Sequence, residues 1–209
     1  MIINKIFHIL QVGDIAENCI IAKCPETSKA IIFDPGDDHD KIIKYLNSID
    51  ADPELIVNTH GHHDHIGAIS ELKQKFNIPF WVHKAEEEYL LDPYKNYSAL
   101  SGKPVKIKPD KLLTEKDIIQ VGTLNFKILH TPGHTLGGCC FLDNNVLIAG
   151  DTLFAGSIGR CDLYGGSEKQ IIRSIKNKIL PLDDSIIILP GHGRHTTLKD
   201  EKIFNPFLQ

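Results

Sequence analysis

The sequence predicts an α/β fold of two sheets with helices outside, on three observations. Short β-branched runs alternate with stretches of helical apolar spacing, the strand-like runs fall into two groups each followed by helices, and four of the runs end in an acidic or histidine-bearing turn. Periodicity alone leaves other α/β layerings open. The length of 209 residues suits one large domain able to bury a sizeable core.

In chain order, strands are expected at Lys5–Leu10, Cys19–Lys23 and Ala30–Phe33, the last ending in Asp34-Pro35-Gly36. Ile42, Ile43, Leu46 and Ile49 have helical spacing and predict a helix over 38–49. Leu55–Asn58 reads as the next strand. Ile66, Ile69, Leu72 and Phe76 share one face of a helix over about 64–76. Phe80–His83 reads as a strand and Ala85–Leu91 as a short helix stopped by Asp92-Pro93. The polar stretch from Tyr94 to Pro109 is expected to be a long functional loop. Strands return at Leu124–Leu129, Cys139–Leu142 and Val146–Ala149, the last two joined through Asp143-Asn144-Asn145 as a hairpin. Ser167 and Gln170 form a capping box before a helix that turns Ile171, Ile172, Ile175 and Ile179 inward. Ser185–Leu189 is the last buried strand.

Bulk composition excludes several function classes. A net charge of -4 with no basic stripe argues against a nucleic-acid partner. The N-terminal run MIINKIFHILQVGD lacks the apolar core of a signal peptide, and the longest apolar stretches are strand-sized, so a cytoplasmic protein without a membrane partner is expected. The five cysteines show no C-x-x-C spacing, and Cys139-Cys140 reads as core rather than as a redox pair.

The chemistry concentrates where strands end. LIVN leads into Thr59-His60-Gly61-His62-His63-Asp64-His65, FKILH into Thr-Pro-Gly-His134, VLIAG into Asp151, and IIILP into Gly-His192. Packing so many imidazoles and carboxylates together costs repulsion and desolvation unless a cation uses the donors at once. Imidazole with carboxylate and no thiolate suits zinc first, with iron or manganese as alternatives. His60 and His62, two apart in an extended turn, point to the same side, and Asp64 and His65 start a helix and face a second position. His134 can complete a site with the first pair and His192 one with the second, while Asp151 has two oxygens and can bridge. His8, His39, His63, His83, His130 and His195 read as ordinary polar histidines.

This motif set resembles the metallo-β-lactamase-fold hydrolases, a four-layer αββα sandwich of two mixed sheets, over nearly the whole chain. GDTLFAGSIGR at 150–160 and LPGHGRHTTLKDEKIFNPFL at 189–208 look like the short bacterial glyoxalase II-like enzymes related to hydroxyacylglutathione hydrolase. The resemblance implies two divalent metal ions, one held by His60, His62 and His134, the other by Asp64, His65 and His192, with Asp151 bridging. It implies Asp34 as an orienting partner of a ligand histidine, and Arg160 as the residue that touches glutathione. The aromatic residue expected two positions later is Asp162 here, with Tyr164 as the substitute. It also implies a single domain over 1–209 that lacks the C-terminal helical region with which longer relatives hold glutathione.

The expected reaction is thioester hydrolysis on a small-molecule substrate such as S-lactoylglutathione, by a hydroxide bridging two cations, with Asp64 and Asp151 as the catalytic carboxylates. A thiol of pKa about 8.5 departs without a strong general acid, which suits a site with no Lys or Tyr at a motif position. The rivals are a one-iron persulfide dioxygenase, a lactonase or lactamase of the same superfamily, and a metal-binding module without turnover. Ala155-Gly156-Ser157-Ile158-Gly159 departs from a serine nucleophile motif at its first position.

Overall fold

The computed structural model describes all 209 residues, and the chain divides into two compact units. The first comprises Met1–Leu113 with Gln120–Asn125, and the second Thr114–Ile119 with Phe126–Gln209.

The first unit is built on a seven-stranded mixed sheet in simple sequential order. Strands β1 (Ile2–Ile3), β2 (Phe7–Val12), β3 (Glu17–Lys23) and β4 (Lys29–Phe33) are antiparallel neighbours joined by short turns. Strands β5 (Asp52–Asn58), β6 (Phe80–His83) and β7 (Lys111–Leu113) then add in parallel. Parallel pairing needs a crossover, which helix α1 (His39–Ser48) supplies between β4 and β5. In β3 every residue but Lys23 is buried, and in β4 every residue but Lys29, so both read as continuous rather than alternating apolar runs. Ile42 and Leu46 of α1 pack with Ile21, Ile32, Ile56 and Phe80 as the unit's core.

The helix expected over about 64–76 is two helices, α2 (His63–Ile66) and α3 (Ile69–Phe76). A Cβ on Gly67 would overlap the backbone oxygen of Gly36, and the Ala68 amide donates to Pro35 O at 3.0 Å. The break therefore lets the Asp34-Pro35-Gly36 turn lie against the histidine-rich segment. The Tyr94–Pro109 stretch has no strand or helix, as expected, but it is well tied. The Asn96 carboxamide donates to Tyr89 O and Val105 O at 2.9 and 3.0 Å, and Asn96 O accepts from the His63 amide at 2.8 Å. Helix α4 (Glu87–Leu91) follows a 3-10 turn at Lys84–Glu86.

The second unit holds most of a six-stranded mixed sheet. Its members are β8 (Ile118–Val121), β9 (Leu124–His130), β10 (Cys139–Asp143), β11 (Val146–Gly150), β14 (Ile187–Pro190) and β15 (Thr196–Thr197), in the order β15-β14-β11-β10-β9-β8. A two-stranded hairpin, β12 (Leu153–Phe154) with β13 (Ser157–Ile158), interrupts them. The β10–β11 hairpin turns at Asn144, whose φ of 50° is the left-handed region that asparagine tolerates. Ser167 caps helix α5 (Glu168–Ser174) by accepting from the Gln170 amide, as its spacing predicts. The helix continues as a π turn at Ile175–Ile179, which keeps Ile175 and Ile179 in the core with Ile171. Helix α6 (Leu198–Phe204) closes the chain, capped by Thr197.

Cys139 and Cys140 are buried, and burial pushes the Cys140 thiol up to about 11, which removes it from thiolate chemistry at neutral pH. No helix is long and apolar enough to cross a membrane.

Leu46 is fully buried in the core of the first unit. Leu46→Ala is expected to cost about 2–5 kcal/mol, read as a lower denaturant midpoint at unchanged m-value.

Candidate metal centre

Strand β5 ends at Asn58, and the next seven residues carry the histidine cluster. His60, His62 and His65 are buried, and Asp64 is nearly so at 14% side-chain exposure. The His60 and His62 rings lie 4.8 Å apart at right angles, and the His60 and His65 rings 4.1 Å apart. Asn58 closes the loop from behind by donating its carboxamide to His65 O at 2.7 Å.

One carboxylate orients this cluster. Asp34 accepts from the Thr59 amide and the Thr59 hydroxyl, both at 2.6 Å, and its Oδ2 lies 3.1 Å from His65 Nδ1. The carboxylate can only accept, so the Nδ1 of His65 carries the proton of that bond. Thr59 has a single hydroxyl proton, which Asp34 takes. At 3.0 Å from His60 Nδ1 the Thr59 oxygen must therefore accept, and His60 is also protonated at Nδ1. Both rings thereby present a lone pair on Nε2, the arrangement found in histidines that bind metal. A second buried carboxylate, Glu17, stands 3.7 Å from His65 Nδ1. Glu86, fully buried, accepts from the Gly61 amide at 2.7 Å and pins the turn between His60 and His62.

The second unit assembles its own three candidates. Strands β9, β11 and β14 end just before His134, Asp151 and His192. His134 Nδ1 lies 2.8 Å from Arg160 O, which only accepts, so this ring too presents Nε2. Gly159 makes that contact possible, since a Cβ there would overlap the Asp151 carbonyl and stand 3.2 Å from His134 Cβ. Asp151 Oδ2 is 3.5 Å from His134 Nε2 and 3.8 Å from His192 Nε2. In the first unit His65 Nε2 stands 3.5 Å from Asp64 Oδ2. Such separations are long for hydrogen bonds and match the roughly 3.3 Å edge of a tetrahedron whose ligands sit about 2.0–2.1 Å from an ion. The donor set, nitrogen and carboxylate oxygen with no sulfur, fits divalent ions of the zinc and iron kind.

Arg160 and Tyr164 are solvent-facing, Tyr164 at 41% exposure. The Arg160 guanidinium makes a two-point contact with Asp162, Nε to Oδ1 and Nη2 to Oδ2, both at 2.8 Å. Hydrogen bonding to Arg160 draws the Asp162 carboxyl down to about 2. Among the remaining histidines, His8 pairs with the Tyr45 hydroxyl at 3.0 Å, His83 accepts from the Ala85 amide, and His130 Nε2 lies 3.1 Å from Leu136 O.

Sequence reading passed over Glu17, Thr59 and Glu86. Thr59 stood in plain view between Asn58 and His60. Glu17 and Glu86 carried no local signal, because their partners lie tens of residues away in the chain.

Asp34→Asn puts an NH2 where one of three donors now points. Its metal affinity is expected to fall about 10- to 100-fold, measured by chelator competition. The Asp162 carboxyl is expected to titrate near 2, and to rise toward its ordinary 3.8 in Arg160→Ala, followed by NMR. Because the folded value is the lower one, the pair's contribution is present above the unfolded value and is lost as pH falls toward 2.

Residues 12–192 match the family model described as the metallo-beta-lactamase superfamily. Hydroxyacylglutathione hydrolase GloC of Haemophilus influenzae is 37% identical, with 96% of this chain and 97% of that protein covered. Among solved structures, the BLEG-1 B3 metallo-beta-lactamase superposes with a TM-score of 0.92 at 40% identity, covering 97% of this chain and 99% of that one. TTHA1623, solved in a di-iron-bound form, superposes at 0.85 with 31% identity over 96% of this chain and 100% of its own. With these matches over almost its full length and ligand-ready histidines in both units, the chain belongs to the metallo-beta-lactamase superfamily and is a metal-dependent hydrolase of that fold.

Proposed function

We propose that this protein is a two-metal thioesterase of the glyoxalase II kind, acting on S-lactoylglutathione or a close thioester. The observation that carries the reading is the locking of His60 and His65 in the first unit and of His134 in the second with Nε2 presented, and, within the second unit, an Asp151 oxygen within 4 Å of both His134 and His192. In this reading His60, His62 and His134 would hold one ion and Asp64, His65 and His192 the other, with Asp151 a further carboxylate for the centre. Zinc is the first choice, with iron supported by the di-iron form of TTHA1623 and manganese also compatible with the donors. When bound, such ions supply Lewis acidity and an ionised water at neutral pH.

The chain's own residues do the rest. Asp34 and Thr59 hold the ligand rings so that no reorganisation is needed during reaction. Asp64 would take the proton left on the attacking water's oxygen as the carbon–sulfur bond breaks, and the sulfur would depart as thiolate, its conjugate thiol having a pKa of about 8.5, without a dedicated acid. A cleft of about 480 Å³ in the first unit runs beside Asp64 and mixes apolar Val12, Ile15 and Val105 with the carboxylates of Asp14, Asp37 and Glu71, the last charge being Lys103, which pairs with Asp37. Arg160 and Tyr164 are the proposed contacts to the carrier thiol. Asp162, already bound to Arg160, competes there with a carboxylate of the carrier, so glutathione is held weakly. The thioester assignment draws its support from the likeness to hydroxyacylglutathione hydrolase GloC along both chains. A single domain acting in the cytoplasm on a small molecule, without nucleic acid or membrane, completes the proposal.

Metal quantification on purified protein, with a panel of S-lactoylglutathione, lactones, a β-lactam and glutathione persulfide, tests it. Two ions per chain with thioester turnover are expected, and Asp151→Ala is expected to abolish that turnover while leaving the circular dichroism spectrum in place. Undiminished turnover in Asp151→Ala overturns the mechanism. Oxygen consumption on persulfide with one iron per chain, or hydrolysis of the β-lactam alone, reassigns the substrate.

A further inference from the structure

We infer that Glu201, on the C-terminal helix α6, is a positioning residue that sets the hairpin after Asp151, whose Phe154 packs on the His192 ring. This rests on the hydrolase reading above. Glu201 is 3% exposed. Its Oε2 accepts from the Gly156 amide at 2.9 Å and from the Asn205 carboxamide at 2.8 Å, and its Oε1 accepts from the Thr196 hydroxyl at 2.7 Å. Asn205, fully buried, reaches on to Ser157 O at 3.0 Å.

These partners come from the two segments that follow ligand positions. Gly156 is the tip of the β12–β13 hairpin, five residues after Asp151, and Thr196 opens β15, four residues after His192. Phe154 of the same hairpin meets the His192 ring edge-on, with centroids 6.4 Å apart. One carboxylate therefore sets the hairpin tip relative to the His192 loop, and with it an apolar wall at the candidate centre.

The choice of a carboxylate has a physical reason. Its hydrogen-bond partners here are all neutral donors, and burying a charge on such terms is costly. Only a carboxylate accepts on both oxygens, however. A glutamine would turn an NH2 toward the Thr196 hydroxyl, the Gly156 amide or the Asn205 carboxamide. A helix that needed only packing would carry an apolar residue at this position.

Metal-loaded wild type, Glu201→Gln and the milder Thr196→Val are compared by amide hydrogen exchange, rate of metal release to a chelator, melting, and kcat and KM on S-lactoylglutathione. Faster exchange confined to 153–158 and 192–197, faster metal release, and a KM raised on the order of ten-fold with a smaller change in kcat are expected. Exchange unchanged in those segments overturns the inference. So does exchange that changes there with metal release and KM unmoved, and so does loosening of the whole unit in both variants, which would make Glu201 merely structural. If wild type hydrolyses no thioester, the proposed function fails, while exchange and metal release still decide the role of Glu201.

Discussion

The candidate centre depends first on the buried carboxylate of Asp34. It stands at the C-terminal end of β4 and accepts three hydrogen bonds, two from Thr59 and one from His65. Those bonds decide which nitrogen of two imidazoles carries the proton, and so which nitrogen is left to bind an ion. A histidine with a free choice of tautomer would spend part of its time with the wrong nitrogen presented. Asp34 removes that choice directly for His65 and through the Thr59 hydroxyl for His60. In the second unit a backbone carbonyl, that of Arg160, does the same for His134. Two different acceptors reach one result, because either can only accept.

The strands supply position and the turns supply direction. The strands before the histidine cluster, Asp151 and His192 are mostly buried and have parallel neighbours, while β9 before His134 buries one face, so the strand ends are fixed by core packing. Beyond those ends the chain turns sharply, and glycines stand where a side chain would collide. Gly67 lets the turn after Asp34 approach the histidine segment, and Gly159 lets the Arg160 carbonyl reach His134. A rigid base with close-packed turns suits chemistry that needs preset ligands, since little free energy is then spent on ordering them.

Buried carboxylates recur as organisers of backbone. Glu86 pins the turn between His60 and His62, and Glu201 draws together the segments after Asp151 and His192. Each accepts from backbone or neutral side-chain donors and holds segments distant in sequence. The exposed pair of Arg160 with Asp162 is of another kind. It is exposed and screened by water, and belongs to the surface rather than to the fold.

Most of the fold was legible in the sequence because burial leaves a periodic trace. The helix over 38–49 is found at His39–Ser48, and the Ser167 cap stands where its spacing placed it. The α/β class follows from the same pattern, the two mixed sheets were what the family resemblance implied, and the clustering of histidines at strand ends was visible without coordinates. What the pattern could not show was local geometry set by distant groups. The helix break at Gly67 answers to Gly36, thirty-one residues earlier, and the strands β7 and β15, of three and two residues, are too brief to leave a period. Residue types at strand ends were thus determined by the sequence itself. The tautomers, the turn held by Glu86 and the reach of Glu201 were decided only by tertiary structure, because a hydrogen bond depends on where two atoms meet in space and not on how far apart they lie in the chain.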